Sequence, residues 1–150
     1  GCFNGYWGDT TRTWMCGDAA PSKELVELNQ AAYDSLWAAI ELCRPGNTTG
    51  QVYAAAEPNI QNERLGHGSS LCPWEPPYFN VASKTSPITL QAGMAFNLEP
   101  YTGKPGVGGF RLENQLVVTE QGPDVYSTFP FEGRLLKYTH RLDKTTAARA

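Results

Sequence analysis

The stretch GMAFNLEPYTGKPGVGGFRLENQLVVT, residues 93–119, decides the fold of this chain. Its first part predicts a strand over residues 93–99, because Met94, Phe96 and Leu98 fall on one face of an extended chain and Glu99 on the other. Residues 109–119 alternate in the same way and predict a second strand. The region therefore belongs to a sheet with one apolar face and one face that carries polar and charged groups.

Helices precede these strands. Apolar residues recur at steps of three and four over residues 22–43, where Ser22 can cap the start and Pro45-Gly46 ends the pattern. Thr48 and Gln51 resemble a capping box for a shorter helix over residues 50–56. Residues 3–14 read as two strands around a turn and residues 122–127 as a final short strand. This order predicts an α+β fold, an antiparallel sheet with helices on one face.

Two segments carry no regular pattern. Residues 59–90 are rich in glycine, serine and proline, and we expect an ordered functional loop there. Residues 139–150 are polar and are expected to form a frayed tail behind a domain of residues 1–138.

Composition excludes some classes of partner. The chain has 150 residues with 12 Lys and Arg against 15 Asp and Glu, a net charge of −3 and no basic cluster for a nucleic acid. No apolar run approaches the roughly 20 residues of a membrane span. Four cysteines without CxxC spacing predict reduced thiols and a cytoplasmic protein. The abrupt start at Gly1 suggests that upstream sequence is missing.

Four side chains point to chemistry: Asp9 after a glycine turn, His67 between two glycines, Glu99 at a strand end and Glu113 within a strand. A carboxylate inside an apolar strand needs a partner, because burying a lone charge is costly. Arg111 on the same face is one possible partner. A divalent cation is another, and carboxylates with one imidazole suit manganese, iron, cobalt or zinc. Each residue taken singly also has an ordinary structural explanation.

Taken together, the motifs resemble the pita-bread metallohydrolases, the family of prolidase, Xaa-Pro aminopeptidase, methionine aminopeptidase and creatinase. The resemblance covers roughly residues 1–126 and implies the C-terminal part of a pita-bread catalytic domain. It also implies a pair of divalent metal ions, with Asp9, His67, Glu99 and Glu113 as four of five ligands, and a homodimer at full length. The motifs follow the family's order: Gly8-Asp9-Thr10-Thr11-Arg12-Thr13, Gly66-His67-Gly68, Gly93-Met94-Ala95-Phe96-Asn97-Leu98-Glu99-Pro100 and Gly109-Phe110-Arg111-Leu112-Glu113-Asn114.

Three departures separate this chain from the family pattern. The fifth ligand, an aspartate, would lie two residues before Gly1. Trp74 stands where the peptidases have a substrate-contacting histidine, and Glu63 stands where prolidase-like enzymes often have another. Tryptophan cannot donate a proton or stabilise an oxyanion as imidazole does, so ordinary peptidase activity is in question while metal binding is not.

The resulting hypothesis is a dinuclear metallohydrolase that cleaves an amide bond in a small peptide or small amide, with activated water as nucleophile. Glu99 and His67 would be catalytic. Trp74, Glu63 and Arg111 would contact substrate, and Thr11 could hydrogen-bond a ligand carboxylate. One alternative is a metal-dependent lyase with Glu63, Glu75 or Tyr78 as candidate base. The other is a binding module without catalysis, against which the retained ligand types argue.

Overall fold

The computed structural model describes residues 1–145 of the chain. Helix α1 spans Lys23–Glu41, and the Ser22 hydroxyl accepts a hydrogen bond from the Leu25 amide at its start. Helix α2 spans Thr49–Ala56 and begins with the predicted capping box of Thr48 and Gln51. Both predicted helices are confirmed within a residue or two at their ends.

Nine strands complete the structure. They are β1 (Cys2–Phe3), β2 (Tyr6–Trp7), β3 (Arg64–Gly68), β4 (Glu75–Asn80), β5 (Ala95–Leu98), β6 (Tyr101–Lys104), β7 (Gly108–Arg111), β8 (Asn114–Thr119) and β9 (Gly122–Val125). Five of them form an antiparallel sheet in the order β4-β3-β5-β8-β9, while β1-β2 and β6-β7 are separate hairpins. Short 3-10 turns cover Glu57–Asn59, Val81–Lys84 and Gly133–Leu135.

The core lies between α1 and the apolar face of the five-stranded sheet. Strand β5 shows the predicted alternation, because Phe96 and Leu98 are fully buried in the core and Asn97 lies on the other face. Phe96 meets Phe79 of β4 with ring centroids 4.6 Å apart. The helix contributes the largest core side chains on its side: Tyr33, Leu36, Trp37 and Ile40.

Several predicted boundaries were wrong. Residues 59–90 contain strands β3 and β4, so this segment belongs largely to the sheet. The predicted strand over residues 109–119 is two strands, β7 and β8, which belong to different sheets. The chain breaks between them because the Glu113 amide donates to the Thr11 carbonyl oxygen and not to a neighbouring strand. The predicted strand pair over residues 3–14 is shorter and ends at Trp7.

Part of the predicted tail packs against α1. The His140 ring stacks on Trp37 with centroids 5.4 Å apart, and the Tyr33 hydroxyl donates to an Asp143 carboxylate oxygen. Residues 146–150 of that tail lie outside the described residues, and the domain division at residue 138 stays a prediction. Neither described helix is long and apolar enough to cross a lipid bilayer.

Candidate metal centre

Three of the four predicted ligands converge at the polar face of the sheet. Asp9 follows the β1-β2 hairpin, His67 lies on β3, and Glu113 occupies the break between β7 and β8. Each offers a ligand atom, and these atoms lie within 4.8 Å of one another. The alignment of three strands brings them together, since His67 pairs with Asn97 on β5 and Asn97 pairs with Gln115 on β8.

The Glu113 carboxylate is held by two neutral donors. The Thr11 hydroxyl donates to Oε2 over 2.7 Å, and the Asn97 side-chain amide donates to Oε1 over 3.1 Å. The same Asn97 nitrogen lies 2.7 Å from the Asp9 carbonyl oxygen, to which it also donates. The proposed role of Thr11 at a ligand carboxylate therefore has a matching contact here. Asn97 was not among the predicted site residues, although it shares the polar face of its strand with Glu99.

Arg12 supports the backbone behind this carboxylate. Its guanidinium donates to the carbonyl oxygen of Glu113 and to the side-chain oxygen of Asn114, and it lies 3.8 Å from the centre of the Phe131 ring. Burial lowers the pKa of Arg12 to about 10, so the group stays charged at neutral pH. Arg12 thus fixes the chain at Glu113 and at the start of β8.

Burial also perturbs Glu113 itself. Glu113 is 2% exposed, and the pKa of its carboxyl is raised to about 7, with desolvation by burial as the largest cause. The negative charges of Asp9 and Glu99 contribute to this raised pKa, while the hydrogen bonds from Thr11 and Asn97 act to lower it. Asp9 is exposed, whereas Glu113 and Glu99 are buried, and a buried carboxyl with other acidic groups close by is what a bound cation would stabilise.

His67 is buried in a narrow slot between backbones. A Cβ on Gly66 would stand 2.1 Å from the Asn97 carbonyl oxygen, and one on Gly68 would stand 2.4 Å from the Pro76 carbonyl oxygen. Both flanking positions therefore require glycine. The ring nitrogen Nδ1 lies 3.1 Å from the Gly68 carbonyl oxygen. With the proton on Nδ1, Nε2 presents its lone pair to the site, as metal-binding histidines do.

Glu99 lies beside the group without joining it. Its Oε1 is 3.7 Å from His67 Nε2, and its Oε2 accepts a 2.7 Å hydrogen bond from the Arg111 guanidinium. The sequence left open whether Arg111 pairs with Glu113, and in the structure Arg111 pairs with Glu99 instead. Glu113 turns toward Thr11 and Asn97 because it sits at the break between strands.

The three converging residues fit a divalent cation. Two donors on one ion at about 2.0–2.2 Å stand no more than about 4.4 Å apart, so the present spacing needs only a small inward movement. Two carboxylates and one imidazole form a donor set for manganese, iron, cobalt or zinc. Glu99 would have to give up its contact with Arg111 to bind an ion through both oxygens.

The residues predicted to contact substrate (Trp74 and Glu63) and the candidate bases of the lyase alternative (Glu63, Glu75 and Tyr78) occupy different places. Trp74 is 46% exposed, and its ring centroid lies 5.0 Å from that of His67. Tyr78 is 6.4 Å from Trp74 between ring centroids. Glu75 accepts a hydrogen bond from the Ser70 hydroxyl. Glu63 is exposed, and no contact within residues 1–145 brings its side chain to the cluster.

Comparison with known proteins identifies the family of this chain and supports its fold. The model of metallopeptidase family M24 matches residues 1–120, and the chain belongs to that family. The predicted α+β pita-bread fold is confirmed by the structural neighbours.

Among the most similar relatives is a probable dipeptidase PepE of Mycobacterium tuberculosis, 35% identical over an alignment of 136 residues that covers 85% of this chain and 35% of the relative. A crystal structure of dipeptidase PepE from Mycobacterium ulcerans superposes with a TM-score of 0.77 at 37% identity, covering 86% of this chain and 36% of that one. An Xaa-Pro dipeptidase from Bacillus anthracis has a TM-score of 0.73 at 29% identity, with 85% and 37% covered. The chain thus spans about a third of the length of the relatives it matches.

Proposed function

We propose that the protein is a metal-dependent hydrolase of short peptides, with Asp9, His67 and Glu113 holding a divalent cation. The observation that carries this proposal is their convergence: three donors from distant parts of the chain lie within 4.8 Å, and the carboxylate of Glu113 is oriented by two further side chains. Membership of a metallopeptidase family supports the same reaction class. A bound divalent cation would supply Lewis acidity and an activated water for attack on an amide carbonyl.

The chain's own residues have separable tasks in this scheme. Asn97 and Thr11 hold Glu113 in place, and Asn97 also fixes the backbone of Asp9. Glu99, next to His67, is assigned as a ligand of a second ion and as the carboxylate that carries the proton to the leaving amine. Arg111 holds Glu99 at that position before an ion binds. Trp74 covers His67 from the open side and excludes water from one flank of the site.

The proposal also includes finer assignments. The resemblance implies two ions, manganese as one possible metal, a homodimer, and small peptides of the Xaa-Pro type or small amides as substrates. The cytoplasmic location rests on the cysteine usage of the sequence.

The test is metal-dependent hydrolysis of leucyl-proline by the protein at its natural length. The apoprotein is prepared with a chelator and reloaded separately with Mn²⁺, Co²⁺, Fe²⁺ or Zn²⁺. We expect activity to return with at least one ion, and Glu113→Gln to lower kcat/KM by at least about 100-fold. Glu120→Gln, an exposed carboxylate in the turn after β8, is the matched control and should leave activity unchanged. Hydrolysis that persists without metal would refute the proposal.

A second candidate, a metal-dependent lyase, is favoured by one observation. Trp74 lies over His67 where the family's peptidases have a further histidine, and the other described histidine, His140, stacks on Trp37 of α1. The cluster therefore has a single imidazole within residues 1–145. Products formed in ¹⁸O-labelled water separate the two reactions, because hydrolysis places one solvent oxygen in the new carboxylate and elimination places none.

A further inference from the structure

A cavity of about 480 Å³ lies between helix α1, strand β9 and the last described segment of the chain. Its volume is within the range of roughly 300–1,000 Å³ that small-molecule pockets have. The apolar part of its wall includes Trp37 and Ile40 of α1, Val125 of β9, and Phe131. A ligand with a small apolar body would therefore remove that body from water here.

This cavity is on the side of the sheet opposite to the candidate metal centre. Side chains alternate along β8, and that of Gln115 donates to the Trp7 carbonyl oxygen on the polar face. The neighbouring Asn114 is 1% exposed and lines the cavity together with Trp37 of α1. The cavity is therefore a place separate from the cluster around Glu113, although Asn114 directly follows Glu113 in the chain.

Asn114 provides this cavity with a buried hydrogen-bond donor. The Arg12 guanidinium donates to Oδ1 of Asn114 over 2.9 Å, and this contact fixes the orientation of the side-chain amide. Nδ2 of Asn114 is buried, and no group within residues 1–145 accepts a hydrogen bond from it. Because a buried donor without an acceptor is costly, an oxygen atom of a bound ligand is a fitting partner.

Two side chains of opposite charge also line the cavity. Asp124 of β9 and Lys144 are both exposed, and within residues 1–145 neither side chain makes an ion pair or a hydrogen bond. A ligand that carries one negative and one positive group can pair with both of them. A ligand with a single charge would be attracted by one and repelled by the other.

The chain around Lys144 is anchored to helix α1. The Tyr33 hydroxyl of α1 donates to the Asp143 carboxylate over 2.7 Å. The same carboxylate accepts hydrogen bonds from the backbone amide and the hydroxyl of Thr145, over 2.9 and 2.7 Å. Lys144 lies between these two residues, so its backbone is held at the cavity by contacts on either side.

We propose that this cavity binds a free apolar α-amino acid such as leucine. Its side chain would lie against Trp37 and Val125, and its ammonium group would pair with Asp124. Its carboxylate would accept a hydrogen bond from Asn114 Nδ2 and pair with Lys144. Hydrolysis of short peptides releases molecules of this class, so the site would bind a product of the proposed function away from the metal centre. The binding itself requires neither metal nor hydrolysis.

Equilibrium dialysis with radiolabelled leucine tests this site in the protein at its natural length. Excess chelator removes metal, so leucine cannot bind through an ion at the candidate metal centre. We expect saturable binding of one leucine per chain. Isocaproate is leucine without its ammonium group, and isoamylamine is leucine without its carboxylate. Each should compete at least about tenfold more weakly than unlabelled leucine, because each loses one charge-assisted contact.

The two exposed charged residues can be changed without disturbing the core. Lys144→Gln should weaken leucine binding about tenfold and leave isoamylamine binding unchanged, because this amine has no carboxylate to pair. Asp124→Asn should weaken leucine binding to a similar extent and leave isocaproate binding unchanged. Lys23→Gln and Glu120→Gln are the matched controls, since both residues are exposed elsewhere on the described surface. Both controls should keep the wild-type affinity for leucine.

Several outcomes would overturn the proposal. They are the absence of saturable leucine binding by the wild type, an equal loss of affinity in the controls, and an equal effect of each variant on leucine and on the analogue that lacks the paired group. A variant without residues 146–150 should bind leucine as tightly as the wild type, and binding that appears only in this variant would also refute the site. Because no metal is present, either result leaves the hydrolase proposal to its own test.

Discussion

The two faces of strand β5 differ in the interactions that stabilise them. Phe96 and Leu98 point into a core that the chain closes by itself, since both are 0% exposed and packed among apolar side chains. Asn97 and Glu99 point to the opposite face, where three carboxylates and one imidazole meet. The core face is stabilised by contacts already present. The polar face crowds like charges together, and in the proposed site a cation would offset them, so mutations on the two faces should affect different measurements.

The largest expected effect is on the core face. Phe96→Ala should lower the free energy of unfolding by about 3–5 kcal/mol, because it removes a fully buried ring that meets Phe79. Urea unfolding of the metal-free protein measures this. Phe96→Leu, which keeps most of the volume, serves as the control and should cost clearly less. An alanine variant within 1 kcal/mol of the wild type would show that β5 does not anchor the core.

On the polar face, adding metal should change the free energy of unfolding more than a mutation does by itself. A cation at 100 times its dissociation constant raises the free energy of unfolding by about 2.7 kcal/mol if it binds only the folded state. We expect a gain of this order for the wild type in Mn²⁺ or Zn²⁺, and its loss in Glu113→Gln. Thermal unfolding with and without a chelator measures both, and Glu120→Gln should keep the gain. An equal metal effect in Glu113→Gln would place the ion elsewhere.

The sequence predicted the elements whose signals are local. Helix α1 has a repeat and an N-cap within its own residues, and α2 has its capping box. Asp9, His67 and Glu113 could be grouped because their motifs have a characteristic order. Strands β3 and β4 could not be predicted in this way. Glycine at positions 66 and 68 of β3 hides the alternation of side chains, and the close approach of neighbouring backbones that requires these glycines is a tertiary feature.

The break between β7 and β8 at Glu113 also could not be predicted from local sequence. The sequence alternates continuously from Phe110 to Val118, and nothing local marks a change of sheet. The cause is distant in sequence: the Glu113 amide donates to Thr11, and Arg12 donates to the Glu113 carbonyl. The pairing of Arg111 with Glu99 was missed for the same reason, because strand β7 pairs with β6 and turns Arg111 toward the end of β5.

Trp74 provides a test at the rim of the polar face. Because it is nearly half exposed, Trp74→Ala should lower the free energy of unfolding by no more than about 1 kcal/mol. The same change should raise KM for leucyl-proline, since the apolar surface beside His67 is lost. Trp74→His should raise kcat on proline-containing dipeptides by restoring an imidazole near the reacting carbonyl. A stability loss of several kcal/mol in Trp74→Ala would show instead that the indole is a structural element of the loop.

The smallest expected effect concerns the Glu99–Arg111 pair, which distinguishes Glu99 from the three converging ligands. Arg111 is nearly half exposed, with a side-chain exposure of 47%, so the pair should contribute less than about 1 kcal/mol to folding. A cation that recruits Glu99 has to displace Arg111, and Arg111→Gln removes that competitor. We therefore expect the weaker of two Mn²⁺ binding steps to tighten by up to about fivefold, the equivalent of one exposed ion pair.

Calorimetric titration of the apoprotein with Mn²⁺ measures this step, and Arg111→Lys is the control because it keeps a positive charge near Glu99. The stronger step, assigned to Asp9, His67 and Glu113, should be unchanged in both variants because Arg111 donates to none of these three carboxylate or imidazole groups. Weaker binding of the second ion in Arg111→Gln would contradict the competition. It would mean that Arg111 positions Glu99 for the ion, and that the contact between Arg111 and Glu99 persists when the site is loaded.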